Sequence, residues 1–503
     1  MGVTACGNKE NKPWSRQERD KGDMMKRREF ITGAAVAAAA ALINPVKALS
    51  FPTVFPHGTT IYKPEKCFNG YTVYGTEVES EGTVLIDMNG NVVRQWKDIC
   101  QAEHPPKMLK GGFLAGTRRP SPDKKGRVWQ DPSSTDLVVL DWNGKVVRSV
   151  PRAGMHHDYQ FEGNPVGYYV PGMPLDNYQG KMLILSHKFT HNQFISDKEL
   201  YDDYIVELDA QGNVIWEWLG AEHFDEMEFP LEFKKTMYKY PTYSMTRTPG
   251  RKGGDWIHVN SASYLGPNKW WDEDKEKYAV FNPENIIISC RQINTSFIIE
   301  KKTGKIVWQV GPEYYRDSMW EFGGKKYKRA LSKLGQIIGQ HHTHMIPKGL
   351  PGEGNIMVYD NGGYGGYGER NPGAPLGWSD ARRDYSRVIE FDPRTLKVVW
   401  EHSAKQMGMR NKYQFYSDYV SSAQRLPNGN TMITNGAVGQ FQEVTPDHEI
   451  VWEYISPYYT KNGHYNLVYR AMRVPYDYVP QLKAPKETKV TPPDNTTFRI
   501  KAG

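Results

Sequence analysis

One pattern of apolar and polar positions recurs six times along this chain. Apolar residues alternate, an acidic or turn residue follows, then Gly or an equivalent, then a short apolar run that usually ends in Trp. The first copy runs Val84 to Trp96 through Asn89-Gly90, and the second Leu137 to Val147 through Asn143-Gly144. The third runs Ile205 to Trp216 through Gly212, and the fourth Phe297 to Trp308 through Gly304. The fifth runs Val388 to Trp400 through Asp392-Pro393-Arg394-Thr395, and the sixth Phe441 to Trp452 through Pro446-Asp447-His448-Glu449. Two β-rich runs around an Asx or Gly turn predict a hairpin. A lone hairpin cannot bury its faces, so six of them predict a repeat architecture. A further apolar strand pair precedes each copy, for example Asn355 to Tyr359 and Asn430 to Thr434. Four strands per repeat are those of a propeller blade. The expected fold is therefore all-β, a six-bladed β-propeller.

The spacing of the copies is uneven. Gly212 to Gly304 and Gly304 to Leu396 are each 92 residues apart, whereas the first and second copies are 54 apart. Blades 4 and 5 are expected to carry long inter-strand inserts, and loops on a rigid scaffold are where function concentrates. Trp270-Trp271 and Gly362 to Gly368 read as lids or pocket walls. Helical periodicity is weak; Asp225 to Tyr238 and Lys325 to Ile338 carry most of it.

Residues 24–48 have the order of an export signal: Lys26-Arg27-Arg28, an apolar run to about Ile43, then Val46-Lys47-Ala48. The run is shorter than the roughly 20 apolar residues that span a bilayer. Arg27-Arg28-Glu29-Phe30-Ile31 resembles a twin-arginine signature. Residues 1–48 are thus read as an N-terminal extension plus a Tat-type signal. Residues 49–503 are read as one propeller with a C-terminal closing segment, working in the periplasm or outside the cell. Of the chain's 64 Lys/Arg and 57 Asp/Glu, residues 1–48 hold nine and five, so the net charge falls from +7 to +3 without them. That removes the case for a nucleic-acid or anionic-surface partner. Cys67, Cys100 and Cys290 remain; one bridge, Cys67 to Cys100, is compatible with export, and buried inert thiols are the default.

A second regularity lies ahead of each inner strand. Counting back four residues from an apolar anchor gives His157 before Phe161, His342 before Ile346 and Ser422 before Leu426. Before Leu265 the same offset gives Ser261, with His258 seven back; His104 lies five before Leu109 and is placed in blade 1. One offset repeated around a propeller brings side chains together on its axis. His157, His258, His342 and His344 are the expected ring. Arg118, His187-Lys188, Arg291, Asp360-Asn361 and Asn435 form a layer behind it, with Arg387 nearby. Arg binds tetrahedral oxyanions through paired charged hydrogen bonds, and His acts as acid, base or nucleophile near neutral pH. Together they suit transfer of a sulfuryl or phosphoryl group. The same four His could instead hold Fe, Cu or Zn, and a non-enzymatic binding propeller is the third alternative.

Gly58 to Pro64, Gly70-Tyr71-Thr72, His156-His157-Asp158, Asp255 to Ser261, Gln340 to His344 and Leu426 to Asn430 resemble the bacterial arylsulfate sulfotransferase family over roughly residues 55–480. The resemblance implies a six-bladed propeller outside the cytoplasm. It implies sulfuryl transfer between phenols through a sulfohistidine, without the nucleotide donor PAPS and without any cofactor. Aromatic sulfate esters and phenols are the implied partners. Nucleic acid and, for the mature form, membrane are not; a homodimer stays open. Carried over, His258, His342, His344, His157 and Arg387 are the catalytic candidates. Arg291, His341, His156, Asn361, Ser422 and Gln424 are the substrate-binding candidates, with no metal ligand. The chain departs from the family in blade 6: a nucleophilic His is expected near Ser421 to Gln424, and none is there.

Overall fold

A computed structural model describes residues 57–492 apart from position 79 and segments 100–103, 119–135, 152–154, 174–176, 243–253, 312–318, 323–324, 329–333, 364–366, 368–382 and 461–464. The export signal, Cys100 and most of the Gly-rich run lie outside the described residues. Among those described, no helix is long and apolar enough to cross a membrane.

Six antiparallel sheets carry the fold. Blade 2 comprises Lys107–Leu109, Phe113–Arg118, Asp136–Leu140 and Val146–Pro151. Blade 3 comprises Met155–Glu162, Asn177–Thr190, Leu200–Leu208 and Val214–Leu219. Blade 4 comprises Val259–Tyr264, Ile286–Cys290, Thr295–Ile299 and Ile306–Val310. Blade 5 comprises His341–Met345, Ile356–Asp360, Arg387–Phe391 and Val398–His402. Blade 6 comprises Ser422–Arg425, Thr431–Asn435, Gln440–Val444 and Ile450–Ile455. In blade 1 the C-terminal strand Ala471–Pro475 pairs with Gly70–Gly75, ahead of Thr83–Ile86 and Val92–Trp96. The N-terminal strand Gly58–Tyr62 adds to the outer edge of blade 6. Both chain ends thus close the ring, so no blade relies on a loop alone to hold it. First strands of successive blades, from blade 3 round to blade 2, touch one another and form the inner wall.

The recurring residues of the outer hairpins have distinct jobs. Asp87, Asp141, Asp209 and Asp392 each accept a backbone N–H across the turn. Gly90, Gly144, Gly212 and Gly304 take the left-handed backbone that the turn requires, and Leu396 and His448 take it in blades 5 and 6. The Trp residues link blades. Trp218 Nε1 donates to the Gly304 carbonyl, Trp308 to Pro393, Trp400 to Pro446 and Trp452 to Met88. Each bond ties a fourth strand to the next blade's turn, and the Trp452 bond closes blade 6 on blade 1.

Several local expectations change. Asp225 to Tyr238 overlaps the end of a 3₁₀ segment, Gly220–Met227, and most of a helix, Leu231–Lys239. Lys325 to Ile338 is not a helix at its start: Lys325–Lys328 pairs with Met319–Phe322. Two adjacent glycines, Gly323-Gly324, sit between these runs, a hairpin signal that outweighs weak helical periodicity. Inserts lie between blades as well as within blades 4 and 5. Trp270 is buried among Tyr278, Phe281 and Leu265, with its Nε1 donating to Gly354. It packs between blades instead of standing as a lid. Cys67 donates its thiol to the Val451 carbonyl, and Cys290 is buried.

Candidate functional site

The inner strands of blades 3 to 6 are entered through one backbone device. His157, His258, His342 and Ser421 have φ of 55°, 51°, 53° and 89°. A side chain in this left-handed region costs on the order of 1–3 kcal/mol. In blades 3, 4 and 5 the pairing register slips at the same place, between Met155 and Tyr159, Val259 and Ser261, and His341 and His344. Such bulges re-aim side chains. They also correct the alignment: the blade 4 equivalent of His157 and His342 is His258, not Ser261. Counting back from a distal anchor fails there because His258 lies seven residues before Leu265, whereas His157 and His342 lie four before theirs. The blade 6 equivalent is Ser421, one residue before Ser422, and its Oγ donates to Ser417 Oγ while accepting from the Gly436 N–H. His104 precedes the inner strand of blade 2, not blade 1, because the C-terminal strand fills that place in blade 1.

Four of the eleven predicted residues, His157, His258, Arg291 and His341, gather in one buried cluster. The His157 ring lies edge-on to His258 and Tyr469, with centroids 4.9 and 5.4 Å away. His341 faces Tyr469 from another side at 6.2 Å. His258 Nδ1 is 2.5 Å from Asp255 Oδ2, so with Asp255 ionised the ring donates from Nδ1 and keeps its lone pair on Nε2. Arg291 is buried, and its backbone N–H donates to the His258 carbonyl. Its charge reaches His341 and helps keep that ring neutral. On its Nδ1 side His341 meets Asn361 Oδ1 at 2.8 Å and the Gly339 carbonyl at 3.0 Å. Two acceptors there assign the proton to Nδ1 and leave Nε2 as an acceptor. Burial, the largest cause, holds His156, His157 and His341 well below the usual histidine range.

Behind His157 sits a second set. His156 Nδ1 is 2.7 Å from His157 Nδ1, and the His156 ring stacks on His187 at 3.5 Å. Both Nε2 atoms face Asp203 Oδ1, at 3.4 and 3.7 Å. Among the described residues these three form the one group whose ligand atoms converge as a metal site requires. His157, His258, His342 and His344, the ligand set weighed from sequence, form no such group.

His342 and His344 belong to a different cluster. Their rings lie 4.3 Å apart, and His344 Nε2 is 3.1 Å from the Tyr168 hydroxyl. Buried Arg470 acts electrostatically on both and pairs with Asp158, which Lys107 also contacts. His344 is lowered to about 4, chiefly by burial. Other candidates serve the scaffold. Arg387 Nε donates to Asp360 at 2.7 Å, and its other nitrogens donate to Glu401 and to the carbonyls of Leu334 and Gln336. Gln424 exchanges two hydrogen bonds with the Arg473 backbone, joining blade 6 to the closing strand. Asn361 Nδ2 donates to the Ser417 and Val420 carbonyls while its oxygen meets His341. Ser422 is buried within its strand pair with Thr434.

Sequence reasoning passed over Asp255, Asp203, Tyr469 and Arg470 as site residues. Asp255 was legible, three residues before His258. Tyr469 and Arg470 stand at the entry to the closing strand, the blade 1 counterpart of the His positions. No hairpin turn nearby marked them.

A family model for arylsulfotransferase (ASST) matches residues 69–470. A search of curated proteins finds no match. Among solved structures, a protein of unknown function from Bacteroides caccae aligns at 9% identity over 81% of this chain and 99% of its own, with a TM-score of 0.41. The Cps50 (Swd1) β-propeller domain of Myceliophteria thermophila aligns at 8% identity over 82% and 90%, with a TM-score of 0.35. A streptogramin B lyase aligns at 12% over 84% and 94%, with a TM-score of 0.33.

Proposed function

Because the chain belongs to the arylsulfotransferase (ASST) family, we propose that it moves a sulfuryl group from an aryl sulfate to a phenol at the His157, His258, Arg291, His341 and Tyr469 cluster. The reaction is placed outside the cytoplasm on the strength of the twin-arginine-like leader, and it needs no PAPS. Small aromatic sulfate esters and phenols are its substrates. The observation that carries the reading is the short His258–Asp255 contact inside a buried His/Arg cluster.

His258 is the nucleophile in this scheme. Asp255 fixes its tautomer and offsets the positive charge that develops on the ring, as a carboxylate does behind a catalytic His. Arg291, not Arg387, holds the sulfuryl oxygens, since the Arg387 donors are already committed to Asp360, Glu401 and two carbonyls. In the first half-reaction the His258 Nε2–S bond forms as the S–O bond to the donor breaks. The leaving phenolate takes a proton from protonated His341. In the second half the incoming phenol returns that proton to His341 Nε2, and its oxygen attacks sulfur and releases His258. The bound sulfate monoanion favours the protonated His341 that the first half needs.

The test uses purified protein, para-nitrophenyl sulfate and phenol with no nucleotide. Nitrophenol release coupled to phenyl sulfate formation is expected, with acid-labile, alkali-stable added mass on the peptide that contains His258. No transfer across a panel of aryl sulfates would sink the reading. Labelled mass on a peptide without His258 would sink the assignment of the nucleophile.

A further inference from the structure

Asp203 is wholly buried and lies beside two more buried carboxylates, Asp202 and Asp255. Asp202 accepts from the Ala221 N–H and from Trp256 Nε1, and Asp255 holds His258. Among the described residues, Asp203 has ion-pair contacts with His156 and His187, not with Lys or Arg. Its Oδ1 accepts the Val259 N–H, while among the described residues Oδ2 and His156 Nε2 have no hydrogen-bond partner. Burying such groups unpaired costs on the order of 1–3 kcal/mol each, so their persistence asks for a missing partner. That partner must accept two neutral imidazoles and a carboxylate at once. A divalent cation does so, and it offsets the crowded acidic charge as well.

The geometry agrees. A tetrahedral ion with ligand atoms at about 2.0–2.2 Å keeps those atoms about 3.4 Å from one another. His156 Nε2 and His187 Nε2 are 3.4 and 3.7 Å from Asp203 Oδ1, and all three ligand atoms fall within 4.8 Å of one another. The two rings stack near-parallel, 3.5 Å and 8° apart, so one ring must turn about its Cβ–Cγ bond on binding for both in-plane Nε2 lone pairs to aim at one ion. Asp255 Oδ1 is 3.9 Å from His187 Nε2, in reach as a fourth ligand.

We propose that His156, His187 and Asp203 form a binding site for a divalent first-row transition ion of the zinc type, set behind the cluster that carries the reaction. Two imidazoles and one carboxylate are a common donor set for such ions. The ion would be a support and not a reactant. Ligation through Nε2 leaves the His156 proton on Nδ1, where it donates to His157 Nδ1 and fixes the tautomer of that ring. The ion also draws in Asp203, which accepts the N–H of Val259, the residue next to His258. Metal binding is thereby linked to the placement of both His157 and His258.

Metal binding, not turnover, decides the matter, so the outcome is separate from that of the sulfotransferase reading. Full-length protein stripped with chelator is titrated with Co(II) and followed by visible d–d absorption, then loaded with Zn(II) and passed through gel filtration. One equivalent per chain is expected, in a low-coordinate Co(II) spectrum. Asp203→Asn and His187→Gln should abolish it. His342→Gln, in the other cluster, should keep it. X-ray absorption of the zinc-loaded wild-type protein should show two imidazoles, an outcome that needs no variant to fold. Absence of stoichiometric binding, survival of binding in both ligand variants, or a first shell without imidazole overturns the proposal.

Discussion

The outer hairpin turns and the inner strand entries use the same left-handed backbone and fill it with opposite residues. Four of the six outer turns place Gly there: Gly90, Gly144, Gly212 and Gly304. The inner entries of blades 3 to 6 contain none; they place His157, His258, His342 and Ser421. In the outer turns only the backbone matters, and Gly adopts that conformation without strain. At the inner entries a side chain is kept despite the strain. Strain retained where Gly would relieve it marks a side chain with a task. Ser421 is the revealing exception, since its hydroxyl is committed to Ser417 and Gly436, a structural role.

The largest effect that would test this contrast is at His258. His258→Gln should lower kcat/KM for aryl sulfate transfer on the order of 10³-fold, the scale of losing a nucleophile. Its melting midpoint should stay within a few degrees of wild type. Steady-state kinetics and a thermal melt measure both; near-normal turnover would reduce His258 to a scaffold residue.

Next in size is the pair of arginines. Arg387→Gln leaves buried Asp360 without its Nε donor and should destabilise the fold by about 3–5 kcal/mol. Arg291→Gln should instead reduce kcat/KM on the order of 10²-fold, as loss of a charged oxyanion contact does, with little change in stability. Denaturant unfolding beside kinetics separates them. The reverse pattern would return the oxyanion role to Arg387.

The pH dependence of stability is a smaller, collective effect. His104 and His344 are lowered to about 4 and His402 to about 3, each chiefly by burial. Their unfolded value is near 6.5, so below that pH the unfolded chain binds more protons than the folded one. Stability should be full above about 6.5 and fall toward pH 4 by a few kcal/mol. Asp202, raised to about 7 by burial, works the other way, because the folded state holds its proton between 3.8 and that value. Asp203 and Glu443 are raised by burial too, but four more histidines, His156, His157, His341 and His342, are lowered by it. The histidines outnumber the carboxyls, so denaturant midpoints should drop on acidification, and a midpoint unchanged at pH 4.5 would contradict it.

The smallest effect belongs to the outer rim. A Cβ built on Gly212 meets nothing within 4 Å, so Gly212→Ala tests backbone strain alone. It should cost about 1–2 kcal/mol and leave turnover untouched. A loss of activity there would blur the division between rim and channel.

The repeat was legible because its signals are local. An Asp accepting an N–H, a Gly at positive φ and a period of two each act within a few residues, so six hairpins could be read directly. The His register was legible where the His lies four residues before its anchor, as for His157 and His342, and slipped at His258, which lies seven before Leu265. Lys325–Lys328 was misread because weak periodicity was weighed above a Gly-Gly pair.

By itself, then, the sequence determined the blade count, the turns and the presence of His at strand entries, since these rest on nearest-neighbour sterics and alternation. Only the tertiary structure decided which residues share a site. It separated His342 and His344 from His157 and His258, and it gave Arg387 to Asp360. It also brought Arg291 and Tyr469 to the cluster, and Asp203 behind it, from three places far apart in the chain. Convergence on a propeller axis depends on ring closure, and here the closing strand follows every other blade in sequence. No local pattern around Tyr469 could show that it faces His157.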